Sequence, residues 1–200
     1  MTIYTKVLWR KDSIMKYTLE SLQQDYKKGK PLKFLLFWGH TPSSDGCIGK
    51  TCLSQWWKSD FAIDADSYCC MEQYMMAEKA RLFDSAMVRD IMSCKDPKKI
   101  KMLGRKVKNF DESLWVQKRS SIVLNGNFAK FSQNDELKKF LISTQKRVLV
   151  EASPYDKIWG IGMSADDEKP ENPLYWKGRN LLGFALMEVR DELVRIGNQG

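Results

Sequence analysis

Two short segments of this chain hold residue types that do chemistry together. Cys52-Leu-Ser-Gln-Trp-Trp57 is aromatic and polar at once, and Glu72-Gln-Tyr-Met-Met-Ala-Glu-Lys79-Ala80 follows it closely. The second segment reads as a helix in which Glu72 and Lys79 stand seven positions apart. That is close to two full turns, so the acid and the base project similarly, about 10 Å apart along the axis. A core helix needs neither charge. Other carboxylates also lie beside aromatics: Glu72 near Tyr68 and Tyr74, and Glu151 and Asp156 near Tyr155 and Trp159. Cleavage of a glycosidic bond uses this mixture. A carboxylate activates water or supports an oxocarbenium-like centre, while aromatic rings stack on base or sugar.

Several other chemistries do not fit. A Ser-His-Asp triad would have to use His40, the single histidine, and no Gly-x-Ser-x-Gly elbow is present. Gly46-Cys-Ile-Gly-Lys-Thr51 is too short for a P-loop, because its first glycine lies three residues before Gly49 instead of five. No Rossmann fingerprint occurs. The five cysteines, Cys47, Cys52, Cys69, Cys70 and Cys94, are odd in number, irregularly spaced and without a Cys-x-x-Cys pair. That excludes a disulfide framework and a zinc site of the usual type. Neither a signal peptide nor an apolar run near 18 residues is present, so no membrane span and a reducing, cytoplasmic compartment are expected. The net charge of +8 suits a phosphorylated ligand or nucleic acid. The lysines are scattered, however, with Lys27, Lys28 and Lys30 in one place and Lys98, Lys99 and Lys101 in another. They read mostly as solvated surface.

The elements that position these residues follow from spacing. Two hundred residues with 43% hydrophobic content allow one domain with a real core. An amphipathic helix is expected over Asp12–Lys28, stopped by Gly29 and Pro31, and a buried strand over Lys33–Trp38. Thr41–Lys50 is a loop. Helices follow over Ser67–Phe83, with Tyr68 at its approach, then Asp84–Ser93 and Pro97–Gly104. A long helix capped by Asp111 runs through Leu124 and is ended by Gly126, and a further one from Asn134 ends near Ile142. Val148–Val150 is a strand, Asp156–Gly162 a loop, and Arg179–Ile196 a last helix opened by Gly178. The fold class is α+β: a single, mostly α-helical domain with a few short strands and no internal repeat.

In order along the chain, Cys52-Leu-Ser-Gln-Trp-Trp57, Glu72-Gln-Tyr-Met-Met-Ala-Glu-Lys79, Leu103-Gly-Arg105, Trp115, Lys130-Phe131, Val150-Glu-Ala-Ser-Pro154, Asp156, Trp159-Gly160 and Gly178-Arg-Asn-Leu-Leu-Gly-Phe-Ala-Leu-Met187 resemble the NADAR (YbiA-like) family. The resemblance runs from about Phe34 to Arg190, and Phe37-Trp38-Gly39-His40 is similar to one branch. It leaves residues 1–32 as an N-terminal helical extension and 33–200 as the family domain. It implies a metal-independent N-glycosidase with no cofactor. The implied substrates are the phosphoribosylamino intermediates of riboflavin biosynthesis, or ADP-ribose attached to guanine, including guanine in nucleic acid. A non-catalytic ADP-ribose-binding module of signalling or defence is the alternative. Some members have histidine where this chain has Gln73, so no proton-transfer role is carried to that position.

The resemblance places the family's helix acid on Glu72, its helix lysine on Lys79, its tryptophan on Trp115 and its acid before Trp-Gly on Asp156. Glu72 would orient water or support positive charge at the anomeric carbon; otherwise it is an acid favoured by the helix dipole. Lys79 would pair with Glu72 through substrate, bind phosphate or attack an opened ribose aldehyde; otherwise it is a surface lysine. Trp115 would stack on the base or belong to the core. Asp156 would protonate or hydrogen-bond the leaving base or ribose hydroxyls, or serve a turn. Trp159 and Gly160 would form a wall with close backbone approach. Arg179 and Asn180 would meet phosphate at a helix start. Trp38, Gly39, Trp56, Tyr68 and Arg105 complete the expected substrate-binding set. Glu151 is a pocket acid or the partner of a buried base such as Arg105. His40 reads as a rim residue, and Met75, Met76 and Met187 as core.

Overall fold

A computed structural model describes residues 15–199. Helix α1 (Leu19–Lys27) leads to strand β1 (Phe34–Phe37), a single 3-10 turn at Lys50–Leu53 and the hairpin β2 (Phe61–Ile63) and β3 (Asp66–Tyr68). Helices α2 (Met71–Phe83), α3 (Val88–Ser93), α4 (Pro97–Arg105), α5 (Glu112–Gln133) and α6 (Asp135–Ser143) follow. Strand β4 (Val148–Glu151) and helix α7 (Leu181–Gly197) complete the fold. The architecture is α+β and mostly helical, as its sequence predicts.

The strands form two small sheets. β1 and β4 pair in parallel, with Phe34 opposite Val148 and Phe37 opposite Glu151. β2 and β3 are antiparallel, with Phe61 opposite Tyr68. α2 lies at the centre, packed against α3, α4 and α5, while α7 packs on α5 and β4. Every residue of α2 from Met71 to Ala77 is buried. A helix covered on all sides loses the one-sided polar stripe of a surface helix.

Five of the expected helices differ in their bounds. α2 starts at Met71 rather than Ser67, because Asp66–Tyr68 turn back on Phe61–Ile63 through Asp64, whose φ is 54°. α5 runs straight through Gly126 to Gln133. A Cβ at Gly126 would fall 2.4 Å from the Tyr74 ring and 2.7 Å from Met71. That glycine lets two helices touch and does not end one. α1 begins at Leu19, where Thr18 and Ser21 form a reciprocal capping box; Met15–Thr18 precede it, and residues 12–14 lie outside the described ones. α7 begins at Leu181, because Asn180 takes a left-handed conformation (φ 54°). Asp84–Ser93 is a 3-10 turn, Ser85–Met87, running into α3.

Candidate active site

The carboxyl ends of β1 and β4 and the amino end of α2 meet around Glu72. Ligand sites favour such strand ends in parallel sheets. Lys130 on α5 fixes the approach. Its ammonium is fully buried and donates to the Cys52 carbonyl at 2.6 Å and the Ser54 carbonyl at 3.0 Å. Burial lowers its pKa to about 8. The loop held in this way delivers two contacts to Glu72. The Gln55 carbonyl accepts the Glu72 backbone N–H at 2.9 Å, satisfying a first-turn amide of α2. The Trp56 indole N–H donates to Glu72 Oε2 at 3.2 Å. Glu72 Oε1 is buried without a protein partner.

Glu72 is only 2% exposed. Burial pushes its pKa up to about 7; Lys101, the Trp56 N–H and Arg105 oppose this, and Asp156 adds to it. Glu151, at the end of β4, is pushed up to about 8 by burial first and then by Asp156 and Glu72, against Lys101. Its Oε2 is likewise buried and unpaired. Three carboxylates and the cation Lys101 thus sense one another. Among the described residues, no group of three His, Cys, Asp or Glu side chains has metal-holding geometry.

Asp156 Oδ1 accepts the backbone N–H groups of Ile158 and Trp159, each at 2.8 Å, and so shapes its own loop. Gly160 lets that loop fold onto β4, since a Cβ there would lie 2.8 Å from the Glu151 carbonyl and 3.0 Å from the Asp156 carbonyl. Trp159 is half-buried against the core. Asn180 is fully buried and occupied: its Oδ1 accepts the Glu151 N–H at 2.9 Å and its Nδ2 donates to the Leu149 carbonyl at 2.9 Å. It clamps α7 to β4 and fixes the Glu151 backbone. Trp38 follows β1, is 51% exposed and faces Tyr155 with ring centroids 6.0 Å apart. Gly39 follows it with φ 80°. His40 meets Trp56 edge-on at 5.3 Å, at the rim.

Lys79 donates to the Gly104 carbonyl near the end of α4 at 2.8 Å, and its ammonium lies 4.3 Å from the centre of the Phe110 ring. Burial lowers its pKa and the Glu72 charge opposes that. Trp115 is half-buried on α5. Tyr68 is placed apart from Glu72. It stacks on Phe61, meets Tyr74 edge-on and accepts from Arg81 at 3.1 Å. Arg179 and Arg105 are exposed, and Arg105 acts on Glu72 through its charge. Gln73 is structural: it accepts from Cys69 N–H and donates to the carbonyls of Ile91, Met92 and Cys94.

Lys101 is the residue that composition hides. It reads as one of a scattered set of surface lysines, yet its ammonium lies 5.8 Å from the centre of the Trp56 ring and it opposes the pKa rise of both buried glutamates. The legible signal was its four-residue spacing from Arg105, which puts both cations on one face of α4.

An N-glycosidase of Acanthamoeba polyphaga mimivirus is 43% identical over 168 residues, covering 80% of this chain and 96% of its own. The riboflavin biosynthesis protein PYRR of Zea mays is 32% identical over 132 residues, covering 62% of this chain and 19% of its own. The NMR structure of the E. coli protein YbiA shares the fold, with a TM-score of 0.67 at 23% identity over 84% of this chain and 89% of that one. The NADAR domain profile matches residues 36–194, and the chain belongs to that family.

Proposed function

We propose that this protein hydrolyses the N-glycosidic bond of a phosphorylated riboside or of an ADP-ribosyl adduct on guanine. The observation that carries the reading is Glu72: a buried carboxylate held by one indole N–H, with its second oxygen unpaired and its pKa near 7. The mimivirus relative named an N-glycosidase supports the reaction class, and the maize relative named for riboflavin biosynthesis supports the phosphoribosylamino branch.

In this reading the bond from C1′ to the leaving nitrogen breaks and its electron pair stays on nitrogen. Positive charge builds on C1′ and the ring oxygen, where ionised Glu72 stabilises it and takes a proton from the attacking water. The leaving nitrogen receives a proton from Asp156 or from Glu151, whose raised pKa keeps it protonated near neutrality. Lys101 and Lys79 supply positive charge around the centre. Alternatively, Lys79 attacks an opened ribose aldehyde, a route that borohydride trapping would reveal as a covalent adduct. Trp56, Trp159 and Trp115 wall the sugar and base. Five free thiols suit the proposed cytoplasmic setting, and among the described residues no helix is long and apolar enough to cross a membrane.

The test is product release. The protein is incubated with ADP-ribosylated guanine in DNA and, separately, with riboflavin-pathway ribosylamine phosphates, beside Glu72→Gln, and the freed sugar is detected by mass spectrometry. Release from one substrate that is lost in Glu72→Gln is expected and names the substrate. No release from either, with nucleotide binding retained, overturns catalysis in favour of a binding module.

A further inference from the structure

Cys69 and Cys70 place two thiols in contact beneath Glu72, and the chemistry above uses neither. Their sulfurs lie 4.0 Å apart, within hydrogen-bond reach. Both residues are buried, Cys69 with 9% exposure and Cys70 with 0%. Successive side chains of an extended chain point to opposite faces. Cys70 is extended, with φ −167° and ψ 165°, so the contact comes from the bend at these two residues between β3 and α2. Cys69 is pinned on both sides. Its N–H donates to Gln73 Oε1 at 2.8 Å, and its carbonyl accepts the Ser59 N–H at 3.1 Å. Cys70 is the N-cap of α2, two residues before Glu72.

The two thiols differ in acidity and in access. A hydrogen bond from Cys70 lowers the Cys69 pKa; burial opposes this and the charge of Lys95 adds to it. The same bond, and then burial, push Cys70 up. One thiol is therefore the readier nucleophile, and its neighbour keeps its proton. Solvent comes close to Cys69. Lys58, next to Ser59, and Cys94, whose carbonyl accepts from Gln73, line an open cavity of about 580 Å³ together with Lys95. Adjacent Cα atoms stand about 3.8 Å apart, below the roughly 4.4 Å at which relaxed disulfides begin. A disulfide between neighbours is thus strained and easily reduced, the labile kind that suits reversible control.

We propose that Cys69 and Cys70 are a site of reversible modification by hydrogen peroxide, closing into a disulfide that unseats Glu72. The Cys69 thiolate attacks one peroxide oxygen, the O–O bond breaks and hydroxide departs, leaving a sulfenic acid on Cys69. The Cys70 sulfur then attacks the Cys69 sulfur. The S–S bond forms, the S–O bond breaks, and the Cys70 proton leaves with the hydroxyl as water. Counting the proton that Cys69 lost beforehand, one peroxide is reduced to two waters while the two thiols give up two electrons. Closing the 4.0 Å gap turns Cys70 out of its extended N-cap conformation. That slackens the first turn of α2, where the Glu72 N–H meets the Gln55 carbonyl and Trp56 grips the carboxylate. The modification stands on the two sulfurs; its effect on turnover rests on the N-glycosidase reading.

For the test, the whole reduced chain is treated with hydrogen peroxide, alkylated and mapped by peptide mass spectrometry, while hydrogen exchange follows the start of α2. The expected product is a peptide holding Cys69 and Cys70 that lacks two hydrogens and resists alkylation. Exchange at Met71–Tyr74 quickens, and dithiothreitol reverses both changes. Turnover falls about a hundredfold on oxidation, the scale of a displaced catalytic group, and returns on reduction. Cys69→Ser keeps its turnover at the same peroxide dose. Cys70→Ala, its folding checked by thermal melting, stops at the Cys69 sulfenic acid, which dimedone traps. The site is overturned if Cys69 oxidises past sulfenic acid with Cys70 still a thiol, or if neither reacts while the exposed Cys47 does. A linkage with unaltered exchange at the start of α2 overturns its effect on Glu72. If the reduced chain hydrolyses nothing, the enzymatic reading fails, and mass and exchange still decide the modification.

Discussion

Glu72 joins reactivity to instability in one side chain. Its carboxyl group is held to a pKa of about 7 chiefly by burial, against an ordinary value of 4.5. The folded protein keeps a proton that the unfolded chain releases between those values. The associated stability is complete below pH 4.5 and is lost as pH rises through 7. Glu72→Gln should match the unsubstituted protein at pH 5 and exceed it at pH 8 by on the order of 3 kcal/mol. Thermal melts at the two pH values check this, and equal melting temperatures at pH 8 would refute it. With Glu72 ionised as the base and Glu151, of the two candidate donors, protonated as the acid, kcat/KM should climb through about pH 7 and decline above about pH 8. A profile flat from pH 6 to 9 would contradict the roles assigned. The sequence shows the acid on its helix, but not the indole that grips it, since Trp56 and Glu72 meet only through the loop that Lys130 anchors.

Helix pairs set the distances at which those side chains meet. Two glycines mark the closest approaches to α2, and they predict different effects. A Cβ at Gly104 would run into the buried Met76 side chain from its sulfur back to its Cγ, 2.8 Å away, and its Cβ, 3.3 Å away, so more than a flexible end must shift. A Cβ at Gly126 would strike the Tyr74 ring and the end of Met71, directly before Glu72. Gly126→Ala should cost about 1–3 kcal/mol and lower kcat, whereas Gly104→Ala should cost a similar amount of stability with less effect on kcat, since Met76 lies a turn away from Glu72; chemical denaturation beside steady-state kinetics measures both. These glycines also explain what the sequence made legible. Periodicity located α2 to α7, because burial imprints a helical repeat. It misplaced the end of α5, since a glycine read alone looks like a stop while its partner helix stays invisible. The hairpin of β2 and β3 escaped for a related reason. Three-residue strands leave almost no alternation to read, and Asp66–Tyr68 merge into the pattern of the helix that follows.

At the scale of the whole molecule, α1 is docked, not loose. Leu22 is buried, Tyr17 donates from its backbone to Glu188 at 3.0 Å and from its hydroxyl to Asp191 at 2.7 Å, and Gln23 reaches the Pro173 carbonyl at 2.9 Å. None of these contacts touches the Glu72 centre. Deleting residues 1–32 should lower the melting temperature and leave kcat unchanged; loss of kcat in a folded truncated protein would bring the extension into the catalytic unit. The sheet carries a different consequence. Among the described residues β1 finds its only partner strand in β4, and everything from Trp38 to Arg147 lies between them. On the ribosome, Phe34-Leu-Leu-Phe37 emerges long before Val148 exists, and at usual synthesis rates it waits roughly 5 to 20 s with its edge bare. Such an apolar strand is a natural target for a chaperone during translation, and the floor beneath Glu151 closes only when synthesis is nearly done.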